Sequence, residues 1–204
     1  MKHSVLVAAA GPHTNKKFPH KLVARYKALK PLIDDLSTLL VHYIETYCTN
    51  AKDYHVVFDI DDTLIFDDNR QTPNIQIKHL LNLAHAHNCK VHLVTAREHS
   101  KEVLKWTQDE LRRHNIVYTT LALAPKKERS GGMDRISAWK HAERTKHSPC
   151  IFSVGDQWGD SVQLRSEEDI DLLNQAYDIE EWPWCIIMPE TKFPIYGIKI
   201  MAPA

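Results

Sequence analysis

Ten consecutive residues, Val56-Val57-Phe58-Asp59-Ile60-Asp61-Asp62-Thr63-Leu64-Ile65, set an apolar, β-branched run against three carboxylates. The run suits a buried strand, and the acids do not belong in a core. Both demands are met if the strand lies inside a parallel sheet and the acids emerge at its carboxyl end, where open α/β sheets place their ligands. Carboxylates crowded there repel one another unless a cation sits among them, and oxygen-only ligands favour Mg2+. A solvated acidic turn with a helix cap is the plain alternative, since Asp is common in both settings. A second acidic turn closing a second apolar run, Ile151-Phe152-Ser153-Val154-Gly155-Asp156-Gln157-Trp158-Gly159-Asp160, weighs against it. Two such strand ends need a shared reason.

A third run, Val91-His92-Leu93-Val94-Thr95-Ala96-Arg97, reaches Thr95 at its end. Taken in order, the three segments resemble the haloacid dehalogenase (HAD) phosphatase superfamily. Its first motif is an apolar run followed by Asp-x-Asp-x-Thr, its second a strand-end Thr or Ser, and its fourth an acidic pair such as Gly-Asp-x-x-x-Asp. Phe58 to Thr63 resembles the class B acid phosphatase form, and Gly155 to Asp160 the plant and bacterial acid phosphatase branch. The segment Phe193-Pro194-Ile195-Tyr196 is similar to the Pro-x-Tyr-like close of that branch. The resemblance spans roughly residues 40 to 200 and rests on the three motifs jointly.

The resemblance implies a Rossmann-like α/β fold with a mainly parallel sheet flanked by helices, preceded by N-terminal helices, with a minimal or absent cap. It also implies roles. Asp59 would attack phosphorus and form an aspartyl phosphate, while Asp61 would protonate the leaving oxygen and then take a proton from water. Mg2+ would be held by the Asp59 side chain, the Asp61 backbone carbonyl and Asp156, with Asp160 a further ligand or an acceptor that orients waters. Thr95 would donate its hydroxyl to a phosphate oxygen. The backbone N–H of Asp62, with Thr63, Ala96 and Arg97, would line the substrate, although Arg97 could equally tie its loop to an acid. The cation that neutralises phosphate charge would be Arg135 or Lys140, both in the segment Asp134 to Lys140.

Alternation of strand-like and helix-like segments independently implies βαβ units and a parallel sheet. Helical spacing is read over residues 20–29 and 31–48, with Pro31 between them, and residues 1–19 as a flexible arm before a single domain over 20–204. Strands are expected at 55–60, 90–95, 116–123, 150–154 and 184–188. Helices are expected from Pro73 to Ala86, Ser100 to His114, Asp134 to Lys146 and Asp169 to Tyr177, with a loop over 124–134. Few residues are left between Phe66 and Lys90 for an inserted cap, so the site should be open to phosphate on a large molecule.

Lys+Arg and Asp+Glu are equal at 26 each, so no global field draws in nucleic acid. Weak contact through Lys126, Lys127 and Arg129 is the local exception expected, and homo-oligomerisation is left open. Four Cys, at 48, 89, 150 and 185, lack ligand spacing and read as small buried hydrophobes, which favours a reducing, cytoplasmic setting over secretion. The stretch Ser4 to Ala10 is short for a signal sequence, and no run approaches the roughly 18 apolar residues of a membrane span. The thirteen His, including His79, His85 and His87, are read as non-ligands. The sequence therefore leads to a Mg2+-dependent phosphomonoesterase, with nucleotide, polynucleotide-end or phosphoprotein substrates; a non-catalytic HAD-like binding module is the alternative.

Overall fold

The computed structural model describes residues 22–24, 54–66, 72–147, 150–160, 164, 166, 168–176, 185–189 and 198–199. The arm over 1–19, the helix expected over 31–48 and the 193–196 segment lie outside them. In chain order the elements are β1 (Leu22–Ala24), β2 (His55–Phe58), α1 (Ile75–Ala86), β3 (Lys90–Glu98), α2 (Lys101–Arg113), β4 (Thr120–Ala124), α3 (Lys126–Arg129), α4 (Met133–Thr145), β5 (Cys150–Gly155), α5 (Glu168–Ala176), β6 (Cys185–Pro189) and β7 (Ile198–Lys199).

Four parallel strands in the order β5-β2-β3-β4 form the centre of the sheet. This is the α/β, Rossmann-like arrangement expected. Its core is supplied by the apolar runs themselves: Val56, Phe58, Val91, Leu93 and Val154 are all buried. Helix α1 starts at Asn74, whose side chain accepts from Ile77 N–H, and packs Ile77, Leu80, Leu81 and Ala84 inward. Ser100 caps α2 in the same way through Val103 N–H.

Three expectations are corrected. Leu22–Ala24, expected inside a helix over 20–29, is strand β1, antiparallel to β6. An apolar run this short fits either period, and pairing with β6 satisfies its backbone groups. The fourth strand begins at Thr120 rather than 116, because Ile116 N–H donates back to Leu111 O of α2 and Val117 O meets the His85 ring of α1, which ties this backbone to the helices. The loop over 124–134 contains the one-turn helix α3. β6 joins β5 antiparallel, so the sheet is parallel at its centre and mixed at one side.

Because β3 lies on one side of β2 and β5 on the other, the chain reverses its direction of travel across the sheet at β2. In open α/β sheets ligands bind at such a switch point, here the carboxyl ends of β2 and β5. At the opposite edge three imidazoles meet. The His92 and His147 rings stack with centroids 3.6 Å apart, and His55 lies 4.9 Å from His92. Burial, then His147, His55 and Lys90, push the His92 pKa down to about 3.

Unfolded histidine titrates near 6.5, so between that value and about 3 the unfolded chain binds a proton that the folded chain excludes. Stability from this group is full above the unfolded value and is lost as pH falls towards the folded one. Urea unfolding with EDTA present should therefore show a pH slope in that window shallower by up to about 1.4 kcal/mol per unit in His92→Asn than in the parent chain. Equal slopes would contradict the assignment.

Candidate active site

Strands β2 and β5 are in register at Phe58 and Val154, and the ladder runs on through the Asp59 N–H, which donates to Val154 O at 2.8 Å. Asp59 and Asp156 therefore leave the sheet side by side. A 3-10 turn over Trp158–Asp160 brings the third acid back over the strand end. Carboxylate oxygens of Asp59, Asp156 and Asp160 lie within 4.8 Å of one another. Asp160 Oδ2 accepts from Gln157 N–H at 2.8 Å while the Asp160 N–H donates to Gln157 O, so the turn is locked through its own side chain. Gly155 makes this possible, since a methyl group there would run into the Asp160 side chain.

Lys140, from α4, inserts between two of the acids. Its Nζ donates to Asp59 Oδ1 at 2.7 Å and to Asp160 Oδ1, and all three side chains are buried. Burial opposes the ammonium, but Asp160 and Asp59 outweigh it and raise its pKa above the ordinary lysine value. One ammonium cannot fully serve two carboxylates with Asp156 close by. Burial, against the attraction of Lys140 and with the repulsion of Asp160, Asp156 and Asp61, leaves the Asp59 pKa well above the usual carboxylate value.

The structure brings Lys140, not Arg135, to the acids. Arg135 is exposed, and its aliphatic part folds over Gly131 in the turn before α4. Five residues are about 140° of helical rotation, so the two cations cannot face the same site. The inward stripe of α4 is instead Ser137, Lys140 and Arg144, spaced i, i+3, i+7. Ser137 Oγ accepts from Leu164 N–H at 2.7 Å, and Arg144 Nη1 donates to Gly159 O at 3.0 Å, tying α4 to the Asp160 turn. Neither residue stood out in the sequence, though a polar stripe at core spacing was a readable signal.

Asp61 belongs to a second network. Arg97 Nε donates to both its oxygens, at 3.1 and 3.0 Å, and Arg97 Nη2 to Oδ1 at 2.6 Å; Thr95 Oγ1 donates to Oδ2 at 3.2 Å. Arg97 is also 2.7 Å from the wholly buried Glu110 Oε2, donates to Thr107 Oγ1 at 3.0 Å, and has Trp106 stacked 4.5 Å from its Cζ. Burial opposes its charge, but Asp61 and Glu110 keep its pKa raised. Of the two roles open to Arg97, the structure shows the tie to an acid. A register shift in the β3–β4 ladder between Thr95 and Glu98 spans Ala96 and Arg97, where the strand turns from ladder to site.

Three substrate-side expectations change with this network. The Thr95 hydroxyl is spent on Asp61 and also accepts from Arg97 N–H. Asp62, in the left-handed region at φ 53°, donates its N–H to Ile65 O and does not offer it to a ligand. Thr63 is wholly buried under the turn, its hydroxyl without a hydrogen-bond partner among the described residues. Ala96 remains half-buried in the strand. Trp158 packs in the core, donating from Nε1 to Asn174 Oδ1 at 2.8 Å. Lys126, Lys127 and Arg129 are exposed on α3, beyond β4.

Removing Arg97 leaves Glu110 and Asp61 facing each other without a cation. Arg97→Ala should cost about 3–5 kcal/mol of stability, and adding Glu110→Gln should recover part of it. Urea unfolding of the single and double variants measures this coupling; additive losses would contradict it.

Two acids at strand ends, a third folded over them and a buried ammonium between form an oxygen-only cluster that could hold a cation. No family model matches the chain, and no curated protein matches it.

Proposed function

We propose that the chain is a Mg2+-dependent phosphomonoester hydrolase of HAD type, acting through an aspartyl phosphate on Asp59. The observation that carries this reading is the meeting of Lys140 with Asp59 and Asp160 beside Asp156, at the carboxyl ends of neighbouring parallel strands. The donor set fits the ion: it is oxygen-only, and Asp59 sits with more negative neighbours than Lys140 can balance. Asp160 spends one oxygen on Lys140 and the other on Gln157 N–H, so it supports the site from behind. Asp59 and Asp156 are then the side chains that would hold Mg2+, with the Asp61 carbonyl as the motif implies. Bound there, Mg2+ would draw charge from the phosphate and orient it for in-line attack.

The chain's own groups divide the remaining work. Lys140 keeps Asp59 oriented and supplies the fixed positive charge that the transferring phosphoryl group needs. Asp61, clasped by Arg97 and Thr95, would be the group that accepts the proton from water, as the motif implies. Donating a proton to the leaving oxygen requires that clasp to loosen. Helices α1 and α2 leave little chain for a cap, which suits phosphate carried on a nucleotide, an oligonucleotide end or a protein.

Hydrolysis of p-nitrophenyl phosphate, abolished by EDTA and restored by Mg2+, is the expected result, and a panel of nucleotides, sugar phosphates, phosphopeptides and 3′-phosphorylated oligonucleotides would then rank substrates. Absence of turnover with every divalent metal would favour a non-catalytic binding module. Cys89 and Cys150 are buried small side chains, which suits a reducing, cytoplasmic setting. Among the described residues no helix is long and apolar enough to cross a membrane.

A further inference from the structure

We propose that His55, His92 and His147 form a second metal site, at the amino edge of the sheet, for a borderline-soft divalent cation of the Zn2+ class. The three come from separate parts of the chain: the start of β2, the third residue of β3, and the turn after α4. One ring nitrogen from each lies within 4.8 Å of the others. Tetrahedral Zn–N bonds of about 2.0–2.1 Å require nitrogens roughly 3.4 Å apart, within reach of side-chain rotation. His147 stacks on His92 with planes 11° apart and is half-buried, so its ring must turn out of that stack to aim a nitrogen at a shared ion.

Two details favour a cation over a simple stack. His55 Nδ1 and His92 Nε2 face each other at 2.7 Å, two ring nitrogens aimed at one point, a place a metal ion can take. The other nitrogen of His92, Nδ1, is bonded to Thr120 Oγ1 at 2.7 Å, the outer hydrogen bond that fixes which nitrogen of a ligating imidazole faces inward. His55 and His147 are half-buried, leaving a way in and a position for water. Lys90 beside His92 and Lys146 beside His147 oppose binding, while Glu143 beside His147 favours it.

An all-imidazole set selects Zn2+, Co2+, Ni2+ or Cu2+ over Mg2+. His55 and Asp59 are four residues apart along an extended strand, about 13 Å, so the acids do not contribute.

The test is Co2+ titration of the EDTA-stripped full chain in excess Mg2+. One equivalent should bind with the intense visible absorption of low-coordinate Co2+, weakened at least about tenfold in His147→Gln and His55→Gln and unchanged in Asp156→Asn. Thr120→Ala should weaken it to a lesser degree. Absence of that absorption, equal affinity in the His variants, or loss in Asp156→Asn would overturn the proposal. Should the His variants fail to fold, Cu2+ on the unaltered chain decides: electron paramagnetic resonance shows coupling to several imidazole nitrogens if the site is correct, and oxygen ligation overturns it.

Discussion

Asp59→Asn is expected to lower turnover by about ten-thousandfold or more, the scale seen when a covalent nucleophile is removed. The substitution keeps the shape of the side chain and an oxygen for Lys140 to donate to, so the fold should survive. Stability should change little for a second reason: burial and the neighbouring acids disfavour the Asp59 charge in the folded chain, which raises its pKa. Lys140 keeps a full partner in Asp160. Steady-state kinetics beside urea unfolding separates the two effects. A variant that folds normally and turns over near the parent rate would remove Asp59 from the chemistry, whereas loss of fold together with rate would assign it a structural role.

Lys140→Met should damage both properties. It leaves Asp59 and Asp160 buried without the ammonium that joins them, a loss of about 3–5 kcal/mol. The rate should fall by about a hundredfold to a thousandfold as the fixed charge facing the phosphate disappears. Lys140→Arg should return part of the stability and less of the rate, because a planar fork cannot occupy the point between two carboxylates that an ammonium fills. Denaturant midpoints and kcat for both variants check this ordering. Unchanged stability in Lys140→Met would mean that the acids are not held together through it.

The elements that position the site were legible because each carries a strong local signal. Buried parallel strands read as unbroken apolar runs, and both acid turns follow such runs directly, so the sequence alone places Asp59 and Asp156 at strand ends. Their adjacency could not be. It depends on β5 lying beside β2, a long-range pairing that no local pattern encodes. Lys140 and Arg135 looked alike as cations near one helix; their separation by five residues, with the inward face of α4 polar, decided between them. Apolar periodicity misleads on such a helix, since Ser137 and Arg144 occupy positions that usually hold core residues.

Arg97 illustrates the other limit. Its tie to an acid was one of two readings, but Glu110, a helical residue that sequence alone assigns to solvent, is wholly buried as its second partner. At the amino edge the thirteen His were too many to single out three, and His55, His92 and His147 meet only once the sheet has formed. Leu22–Ala24 was misread because three apolar residues carry too little period to choose between helix and strand.

Trapping with borohydride during turnover tests the central claim directly, because it reduces an aspartyl phosphate to homoserine and marks the residue that was phosphorylated. With p-nitrophenyl phosphate and Mg2+ present, peptide mass spectrometry should find homoserine at position 59, and none when either is omitted. Steady turnover with Asp59 unmodified, or with the mark on Asp61, Asp156 or Asp160 instead, would contradict the account.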